Sequence, residues 1–303
     1  MPEAVDDKDL QLVELLRDDG RLSYSELGKA VSLSADAVRA RLDRMVDAGD
    51  LRLVALVDPA LVGRSVRISV GITVAGDPDA FAAWCRARHE IIHLVRTLGR
   101  FTFFAEVITE SLEHAHRFVA QHLSGAPGWL SSEMWPVLRI DKWREDTRAP
   151  HVERSTLDRL LLTDDDRELL RELVISPRIQ FRELSERLDR PYATVRRRAI
   201  ALLKAGVIRP TVSTNELVFT HSQLAIVMIH AHPSARDGLA SDSSVTILTT
   251  TGGAHQFIGE IMASSIGELG SVTDRLQETV SGISSIELLP YVAVDKLPAS
   301  LEI

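Results

Sequence analysis

The chain has 303 residues, of which 45% are hydrophobic and 26% are charged, and its formal net charge is −8. At about 100–200 residues per domain this length predicts two or more domains with hydrophobic cores, and the composition excludes a disordered acidic tail. No hydrophobic run approaches the roughly 18 residues that a membrane-spanning helix needs. The acidic N-terminal stretch lacks the features of a secretory signal, and the single cysteine, Cys85, excludes an intrachain disulfide. We therefore expect a cytoplasmic protein without a membrane partner.

Residues 1–58 show the pattern of three short helices followed by a strand. Apolar residues recur at helical spacing in Leu10, Val13 and Leu16, in Leu27 and Val31, and in Val38, Leu42 and Met45. Ser23 and Glu26 form a capping-box motif, and Ser34 is a candidate N-cap for the third helix. Gly49 stands where the third helix ends. The alternating residues 51–58 then predict a wing strand, so this region predicts a winged helix-turn-helix domain.

Residues 59–143 predict a ferredoxin-like domain with the order βαββαβ. Strands are expected at residues 66–74, 91–98, 101–109 and 134–141, and helices at residues 77–90 and 111–123. Asp77 and Pro78 are a typical start for the first helix, and Gly99 and Arg100 join the two central strands as a hairpin.

The chain then repeats the same plan. Residues 9–52 align without a gap on residues 166–209 at an offset of 157, so that Asp9 falls on Asp166 and Gly49 on Gly206. The segment PVLRIDK from Pro136 aligns on PYVAVDK from Pro290 at an offset of 154, which implies about three residues deleted near residues 235–244. The second winged domain is expected at residues 163–215 and the second βαββαβ domain at 216–303, with a linker at 144–162. The fold class is therefore α+β with internal duplication.

A winged helix-turn-helix followed by βαββαβ resembles the Lrp/AsnC transcription regulators, and the resemblance covers nearly the whole chain twice. It implies DNA-binding heads and ligand-sensing βαββαβ units. Members of that family are typically homodimers built on their βαββαβ units, which assemble further. The resemblance therefore implies that this chain is a fused dimer, and that two chains pair again as a dimer of pseudo-dimers.

The sensing units of that family carry a Gly-x-x-Asp turn between the second and third strands. Gly99 and Gly253 fit the glycine, but Thr102 and Gln256 replace the aspartate. The resemblance places a small-molecule effector, an amino acid or another metabolite, near this hairpin. The candidate effector-binding residues are Gly99, Arg100, Thr102, Gly252, Gly253 and His255. A β-turn without a ligand is the alternative interpretation of Thr249–Gly253, which lacks the phosphate-binding P-loop pattern.

The two heads differ in charge. Residues 1–58 contain 13 acidic and 8 basic residues, whereas residues 157–215 contain 9 acidic and 12 basic residues. Within the candidate reading helices, residues 34–48 have net charge 0 and residues 191–205 have net charge +4. Because DNA affinity follows the local field, we expect the second head to supply most of the attraction to phosphates.

The candidate DNA-binding residues lie at the starts and on the outward faces of the two reading helices, and residues near the N-terminal ends enter the major groove first. They are Ser34, Asp36, Arg39, Arg44, Tyr192, Thr194, Arg196, Arg197 and Arg198. Arginine can pair with guanine, and aspartate can accept a hydrogen bond from cytosine N4. Arg41 and Arg198 align with each other, and their alternative role is an ion pair with Asp9 and Asp166 on the first helix of each head. A solvated face is the alternative for Arg196, Arg197 and Arg39.

Other constellations carry less chemistry. His114 and His116 point to different helix faces, while His230 with His232 and His89 with His93 lack a third ligand, so no metal site and no cofactor is expected. No catalytic Ser/His/Asp or Cys/His arrangement is present.

These patterns predict a sequence-specific DNA-binding regulator that binds double-stranded DNA through two unequal heads and responds to an effector. One alternative is an enzyme that resembles the siroheme decarboxylases, with His93, Arg100 and His255 holding a tetrapyrrole. The other is a protein–protein scaffold whose heads do not bind DNA.

Overall fold

The computed structural model describes residues 5–58, 61, 63–64, 66–144, 162–220 and 222–298. Its first half contains α1 (Asp7–Asp18), α2 (Tyr24–Val31), α3 (Ala35–Asp47), β1 (Leu51–Val57), β2 (Val66–Val74), α4 (Pro78–Arg86), β3 (Ile91–Thr97), β4 (Phe103–Thr109), α5 (Leu112–Arg117) and β5 (Trp129–Lys142). Its second half contains α6 (Asp164–Ile175), α7 (Phe181–Arg187), α8 (Tyr192–Lys204), β6 (Ile208–Thr214), α9 (Glu216–Phe219), β7 (Gln223–Ala231), α10 (Arg236–Ser241), β8 (Val245–Thr251), β9 (Phe257–Ala263), α11 (Ile266–Thr279) and β10 (Ile283–Lys296). Most of the predicted linker, residues 145–161, lies outside the described residues.

These elements form two compact units, and each unit combines equivalent parts of both halves. One unit contains both helical heads with β1 and β6, and the other contains all the remaining strands and helices. The duplicated α+β architecture is confirmed, because both halves have the predicted order of elements.

Capping interactions set where the helices of the heads begin. Ser23 accepts a hydrogen bond from the Glu26 N–H while the Glu26 carboxylate accepts one from the Ser23 N–H, which is the predicted capping box. The Ser34 hydroxyl accepts from the Ala37 N–H at the start of α3. Thr163 and Asp166 repeat the box at the start of α6. These caps satisfy N–H groups that the first helical turn leaves without an intrahelical acceptor.

The wing strands β1 and β6 pair with each other in an antiparallel two-stranded sheet. Val54 lies opposite Thr211, which is its own counterpart at the offset of 157, and Leu51 and Val57 lie opposite Thr214 and Ile208. An antiparallel pair centred on equivalent residues is the signature of an isologous interface, the type found in symmetric dimers. The first unit is therefore a dimer-like pair of heads within one chain.

Two equivalent arginines link the heads reciprocally. Arg21 donates hydrogen bonds of 2.7 Å to the carbonyl oxygens of Pro177 and Ile179, and its guanidinium lies 4.8 Å from the centre of the Phe181 ring. Arg178, the counterpart of Arg21, donates to the Leu22 carbonyl and lies 4.6 Å from the Tyr24 ring. Each arginine thus donates to a carbonyl of the other head and lies over a ring there, with Arg21 using two nitrogen atoms and Arg178 one.

The second unit is a closed eight-stranded barrel with the strand order β10-β3-β4-β2-β5-β8-β9-β7. Each predicted four-stranded sheet is present, and the barrel closes because the long fourth strand of each half pairs with the other half. Tyr291 of β10 lies opposite Thr97, and its counterpart Val137 of β5 lies opposite Thr251. The two pairs are related to each other by the offset of 154, so this interface is also isologous.

This exchange explains why the Asp-Lys motif is repeated in the sequence. The ammonium group of Lys142 donates to the Asp242 carbonyl just after α10, and that of Lys296 donates to the Arg86 and Arg88 carbonyls at the end of α4. A lysine at the end of each fourth strand therefore satisfies carbonyls at the C-terminus of a helix in the other half.

Three hydrophobic cores stabilise the barrel unit. The two outer cores lie between each half's own sheet and helices, and Phe81 and Phe103 are representative of the first and Phe257 of the second. A third core joins the halves, and it includes Phe104, Trp135, Ile226, Leu289 and Tyr291. Because the third core is shared, neither half of the barrel can bury its full apolar surface alone.

The structure differs from the sequence predictions mainly at helix ends. The helix predicted at residues 77–90 ends at Arg86, and the one predicted at 111–123 is helical to Arg117 and continues as a wide turn at 118–122 and a tight turn at 123–125. The short helix α9 was not predicted. The deletion near residues 235–244 is confirmed, because 16 residues (75–90) separate β2 from β3 whereas 13 residues (232–244) separate β7 from β8.

Gly20 offers a test of the pairing of the heads. A Cβ atom at this position would lie 2.6 Å from the Thr211 nitrogen and 2.7 Å from the Pro210 carbonyl carbon, both of which are backbone atoms of β6. Gly20→Ala should therefore destabilise the heads by about 1–3 kcal/mol, as overpacking typically does. Urea unfolding followed by circular dichroism of the helices measures this.

The matched control is Gly270→Ala, because nothing lies within 4 Å of a Cβ atom there and the glycine is inside α11. This change should stabilise the barrel unit by about 0.5–1 kcal/mol. All four tryptophans (Trp84, Trp129, Trp135 and Trp143) belong to the barrel unit, so their fluorescence reports on it separately. If Gly20→Ala left the urea unfolding of the helices unchanged, this result would contradict the packing of Gly20 against β6.

Candidate DNA-binding surface and effector site

The third helix of each head presents one buried face and one exposed face. Val38, Leu42 and Met45 of α3 are buried, as are Val195, Ala199 and Leu202 of α8, all as predicted. These residues hold the helix on the head, and the opposite face is free to contact a partner. This is the arrangement that places a recognition helix in the major groove of DNA.

Buried aspartates on the first helix of each head fix one row of arginines. In head 1, Arg41 donates to Asp6 and Asp9 at 2.8 and 2.9 Å, and Arg44 also donates to Asp9, whose side chain is fully buried. The hydrogen bonds to Asp6 and Asp9 raise the pKa of Arg41 above its usual range. In head 2, Arg198 contacts Asp166 with two nitrogen atoms, one of them at 2.6 Å.

Arg44 and Arg198 were predicted as DNA-binding residues, and that role stays a prediction, while the structure shows both in ion pairs within their own heads. Their guanidinium groups lie against a buried carboxylate, so they orient the recognition helix on the first helix of the head. For Arg41 and Arg198 the alternative role, an ion pair with Asp9 and Asp166, is confirmed. Arg44 lies three residues after Arg41 and therefore shares its face, a signal that the sequence already contained.

The other candidate residues lie on the exposed side. Asp36, Arg39, Tyr192, Thr194, Arg196 and Arg197 are all exposed, and Ser34 caps α3. Arg39 lies 3.6 Å from the carboxylate of Asp43 in the next turn, and both side chains are more than half exposed. Around Arg196 and Arg197, the described part of the chain provides no ion pair, so both charges face solvent.

Head 2 has a cleft of about 150 Å³ between α6 and α8. Arg190, Arg197 and Arg198 line it together with acidic residues of α6, and Arg190 pairs with Asp165 at 3.0 Å. Arg197 is the basic residue of this group whose charge has no carboxylate partner in the described residues. It therefore adds a positive charge beside the recognition helix.

The predicted effector residues lie in the β3–β4 and β8–β9 hairpins of the barrel. Gly99 and Gly253 adopt φ angles of +112° and +127°, which side chains rarely tolerate. A Cβ atom at Gly99 would also lie 3.0 Å from Leu289, and one at Gly253 would lie 3.2 Å from Trp135. Both glycines thus serve close packing of each hairpin on the other half's fourth strand. Gly252 contributes a backbone hydrogen bond to Pro136 of that strand.

Thr102 was predicted to bind an effector, and in the structure its side chain makes a contact within the barrel. Its hydroxyl accepts a hydrogen bond of 3.1 Å from the Val74 N–H at the end of β2. Gln256, at the equivalent position, accepts one of 3.0 Å from the Ala231 N–H at the end of β7. The residues at the family's aspartate position therefore fasten the end of the first strand of each sheet.

Arg100 and His255 are brought together with side chains that the sequence analysis did not single out. Arg100 pairs with Glu133 and lies 3.7 Å from Glu287, which are equivalent residues of β5 and β10. Burial lowers the pKa of His255, partly offset by Glu287, and its buried Nδ1 atom lacks a hydrogen-bond partner in the described chain. The His255 ring meets the rings of Trp135 and His230 edge-on.

The repeated motif Glu-x-x-Pro, at Glu133–Pro136 and Glu287–Pro290, was the available signal for this site. The two glutamates, Arg100 and the two histidines form a group that we call the hairpin cluster. It combines donors, acceptors and an aromatic wall, so it has the chemistry to bind a small polar molecule.

A second polar group lies inside the barrel. Glu260 is buried and accepts hydrogen bonds from Tyr291 at 2.8 Å and from Thr246 at 2.6 Å, and Arg144 lies 3.7 Å from it. His93 lines the same cavity of about 60 Å³, and burial lowers its pKa to about 4, so it is neutral at physiological pH. Neither Arg100 nor His255 lines this cavity.

Among the described residues, no group of three or more His, Cys, Asp or Glu side chains is placed to hold a metal ion. His232 instead bonds Ser234 at 2.9 Å. Cys85 is buried, and burial raises the pKa of its thiol to about 12, so it is an unreactive core residue. Within the same residues, no helix is long and apolar enough to span a membrane.

Paired winged heads and a two-half βαββαβ barrel are the arrangement that the sequence analysis predicted for a DNA-binding regulator with a ligand-binding domain. Consistent with this, residues 5–46 match the AsnC-type helix-turn-helix domain and residues 66–144 match the Lrp/AsnC ligand binding domain. The HTH-type transcriptional regulator LrpC of Bacillus subtilis is 30% identical over 117 residues, which cover 81% of LrpC and 38% of this chain. The chain belongs to the Lrp/AsnC family of transcription regulators.

Two further comparisons describe how the chain relates to other proteins. An uncharacterised HTH-type transcriptional regulator of Pyrococcus horikoshii is 26% identical over 141 residues, covering 89% of that protein and 46% of this chain. The crystal structure of the siroheme decarboxylase NirDL has a TM-score of 0.59 and 14% identity, covering 98% of this chain and 94% of NirDL. The latter likeness shows a shared fold over the full length.

The buried ion pair of head 2 predicts a pH-dependent effect. Burial alone would raise the pKa of Asp166, but hydrogen bonds from Arg198 and Thr163 hold it below its usual value. Its ionised form therefore stabilises the head above about pH 4, and this stabilisation is lost as the pH falls through the lowered pKa. Asp166→Ala should lower the free energy of unfolding of the heads, followed by the circular dichroism of their helices, by roughly 1–3 kcal/mol at pH 7. The difference from the unsubstituted protein should shrink at pH 3.

The control is Asp165→Ala, because the Asp165 side chain is 70% exposed and its pairing with Arg190 is at the surface. Its effect should stay within about 0.5 kcal/mol. Equal losses for the two variants in urea unfolding would contradict the role of Asp166.

Proposed function

We propose that this protein is a cytoplasmic, sequence-specific DNA-binding transcription regulator in which one chain supplies both heads of the usual dimer. The observation that carries the proposal is the isologous pairing of β1 with β6, centred on Val54 and Thr211, which joins two recognition helices in one unit. Paired heads are the arrangement that engages two half-sites of one duplex.

Affinity would come mainly from head 2. Arg196 and Arg197 are exposed on α8, whereas their counterparts in α3 are Arg39, which pairs with Asp43, and the uncharged Ala40. Each phosphate neutralised by a free arginine adds affinity and salt dependence. The formal net charge of −8 does not oppose this, because binding responds to the local field.

The hairpin cluster is the proposed effector site. Arg100 can exchange its carboxylate partners for the carboxylate of a ligand, and His255 offers a ring nitrogen that has no hydrogen-bond partner among the described residues. Since the cluster includes residues of both halves, an occupant would contact the barrel where the two halves meet. We also propose that two chains pair further to give four heads, because members of the family typically assemble beyond the dimer.

The tetrapyrrole enzyme is the second candidate, and it is favoured by the full-length likeness to NirDL. The structure argues against it, because His93 lies in the barrel interior whereas Arg100 and His255 lie in the hairpin cluster. The interior cavity of about 60 Å³ is also far smaller than the roughly 300 Å³ at which ligand pockets begin. Titration with haem should give no red-shifted absorbance band, and such a band would support the enzyme.

Removal of the free arginines tests DNA binding. Arg196→Ala with Arg197→Ala should weaken binding to all sequences by at least about tenfold and reduce the slope of log K against log salt by about 2. Fluorescence anisotropy with duplexes selected from genomic fragments measures both quantities.

The control is Arg167→Ala with Arg171→Ala, which removes the same charge from α6 of the same head. It should reduce affinity much less. If the unsubstituted protein enriches no fragment even at low ionic strength, the scaffold interpretation replaces the regulator.

The effector site is tested by thermal unfolding with each of the twenty amino acids. A bound amino acid should raise the melting temperature of the protein, because it binds the folded state alone. The shift should disappear in Arg100→Ala and persist in Arg117→Ala, whose exposed arginine pairs with Glu113 outside the cluster. A shift that survives Arg100→Ala would place the site elsewhere.

A further inference from the structure

We propose that the two heads read different half-sites, so that the protein binds its operator in one orientation only. Resting on the proposed DNA-binding function, this inference identifies the residues that set the asymmetry. They are Asp36, Ala40 and Asp43 in head 1 and their counterparts Ala193, Arg197 and Ile200 in head 2.

The two heads share a symmetric scaffold. The register of β1 on β6 and the reciprocal contacts of Arg21 and Arg178 place equivalent residues of the heads in equivalent surroundings. The buried aspartates Asp9 and Asp166 likewise hold α3 and α8 through the equivalent residues Arg41 and Arg198. The backbone therefore presents two matching recognition helices, and any difference in what they read comes from exposed side chains.

One exposed position is the same in both heads. Arg39 and Arg196 are equivalent, and both are exposed. Arg39 is restrained by Asp43 at 3.6 Å, whereas Ile200 stands at the position of Asp43 in head 2 and leaves Arg196 without that partner. Both half-sites should thus share the base or phosphate contacted by this arginine, with a stronger contact in head 2.

Between Asp36 and Asp43 of α3, three positions differ in charge from their counterparts in α8, and all three differ in the same direction. Each of them is more positive by one charge in head 2 than in head 1. Asp36 lies in the first turn of α3, is exposed, and can accept a hydrogen bond from the N4 amino group of cytosine while its charge repels phosphate. Arg197 lies beside the cleft of head 2 and attracts phosphate. The two heads therefore present different charges and hydrogen-bonding groups to the bases, and head 2 adds more attraction to phosphates.

A palindromic operator offers two identical half-sites and would leave one head mismatched. An asymmetric operator satisfies both heads, but only in one orientation. A single mismatched base pair typically costs enough to reduce affinity about fivefold or more. On an asymmetric duplex, the orientation that gives each head its own half-site is therefore bound more tightly than the reversed orientation.

The first experiment selects an operator from a random library with the intact protein and divides it into half-sites a and b. Duplexes a–b, a–a and b–b of equal length and spacing are then compared by anisotropy at one salt concentration. We expect a–b to bind tightest, with both symmetric duplexes weaker by at least about fivefold. Selection of a perfect palindrome, or equal affinity for the three duplexes, would overturn the inference while leaving the DNA-binding function intact.

The second experiment converts head 1 into head 2. The triple variant Asp36→Ala, Ala40→Arg and Asp43→Ile should move the preference to the symmetric duplex that carries two copies of the half-site read by head 2. The matched control, Glu14→Arg with Asp18→Asn, makes the same change of three charges on the exposed side of α1. It should raise affinity for all duplexes alike and keep the preference for a–b; an equal shift of preference in the control would overturn the assignment.

The third experiment reads orientation directly. Cys85 is buried with a thiol pKa of about 12, so a cysteine introduced at exposed Ser25 of head 1 can be labelled selectively with an iron-chelate DNA cleaver. Cleavage at one end of a–b is expected, and cleavage at both ends would contradict a single orientation. Failure of the intact protein to bind any DNA at low salt would instead defeat the regulator function itself.

Discussion

Isologous pairing of equivalent strands within one chain is the constraint on which the rest of the structure depends. In the heads, β1 and β6 pair about Val54 and Thr211, and in the barrel the fourth strand of each βαββαβ half pairs with the second strand of the other. Association of two separate chains loses translational and rotational freedom, whereas a covalent connection turns pairing into an intramolecular event with an effective concentration of about millimolar. A fused chain can therefore keep the contacts of a symmetric dimer while its two copies change independently.

The two copies differ at some equivalent positions and are identical at others, and this distribution has a physical reason. Residues that make reciprocal contacts have stayed equivalent: Arg21 with Arg178, Asp9 with Asp166, and Lys142 with Lys296. A change at one of them would leave a buried partner without its hydrogen bonds, which is costly. A change at an exposed position of a recognition helix or of a hairpin tip carries no such cost. Equivalent residues can therefore differ there, as Ala40 differs from Arg197 and Arg100 differs from Ala254.

Much of this fold was predictable from the sequence, because the repeat supplied two independent versions of each pattern. The capping boxes at Ser23 and Thr163, the inner faces of α3 and α8, the βαββαβ order and the deletion before β8 all follow from local signals. The exchange of β5 and β10 between the halves was beyond local patterns, since strand length alone does not name a partner. Thr102 shows the same limit: its hydroxyl is occupied by the Val74 N–H, a contact between residues 28 apart that only the folded sheet reveals.

The hairpin cluster and the barrel interior show how such divergence can become functional. His255 stands at the position equivalent to Phe101. A core aromatic residue of the first hairpin therefore has a polar counterpart in the second hairpin, and that counterpart contacts Trp135 and His230. Inside the barrel, Glu106 and Glu260 are equivalent, yet Glu106 pairs with Arg67 while Glu260 is bonded by Tyr291 and Thr246 and lies near Arg144. A symmetric dimer would have to accept each of these arrangements twice about one axis, where like charges would meet. A fused chain needs each only once, and the same freedom allows the exposed faces of its two recognition helices to carry different charges.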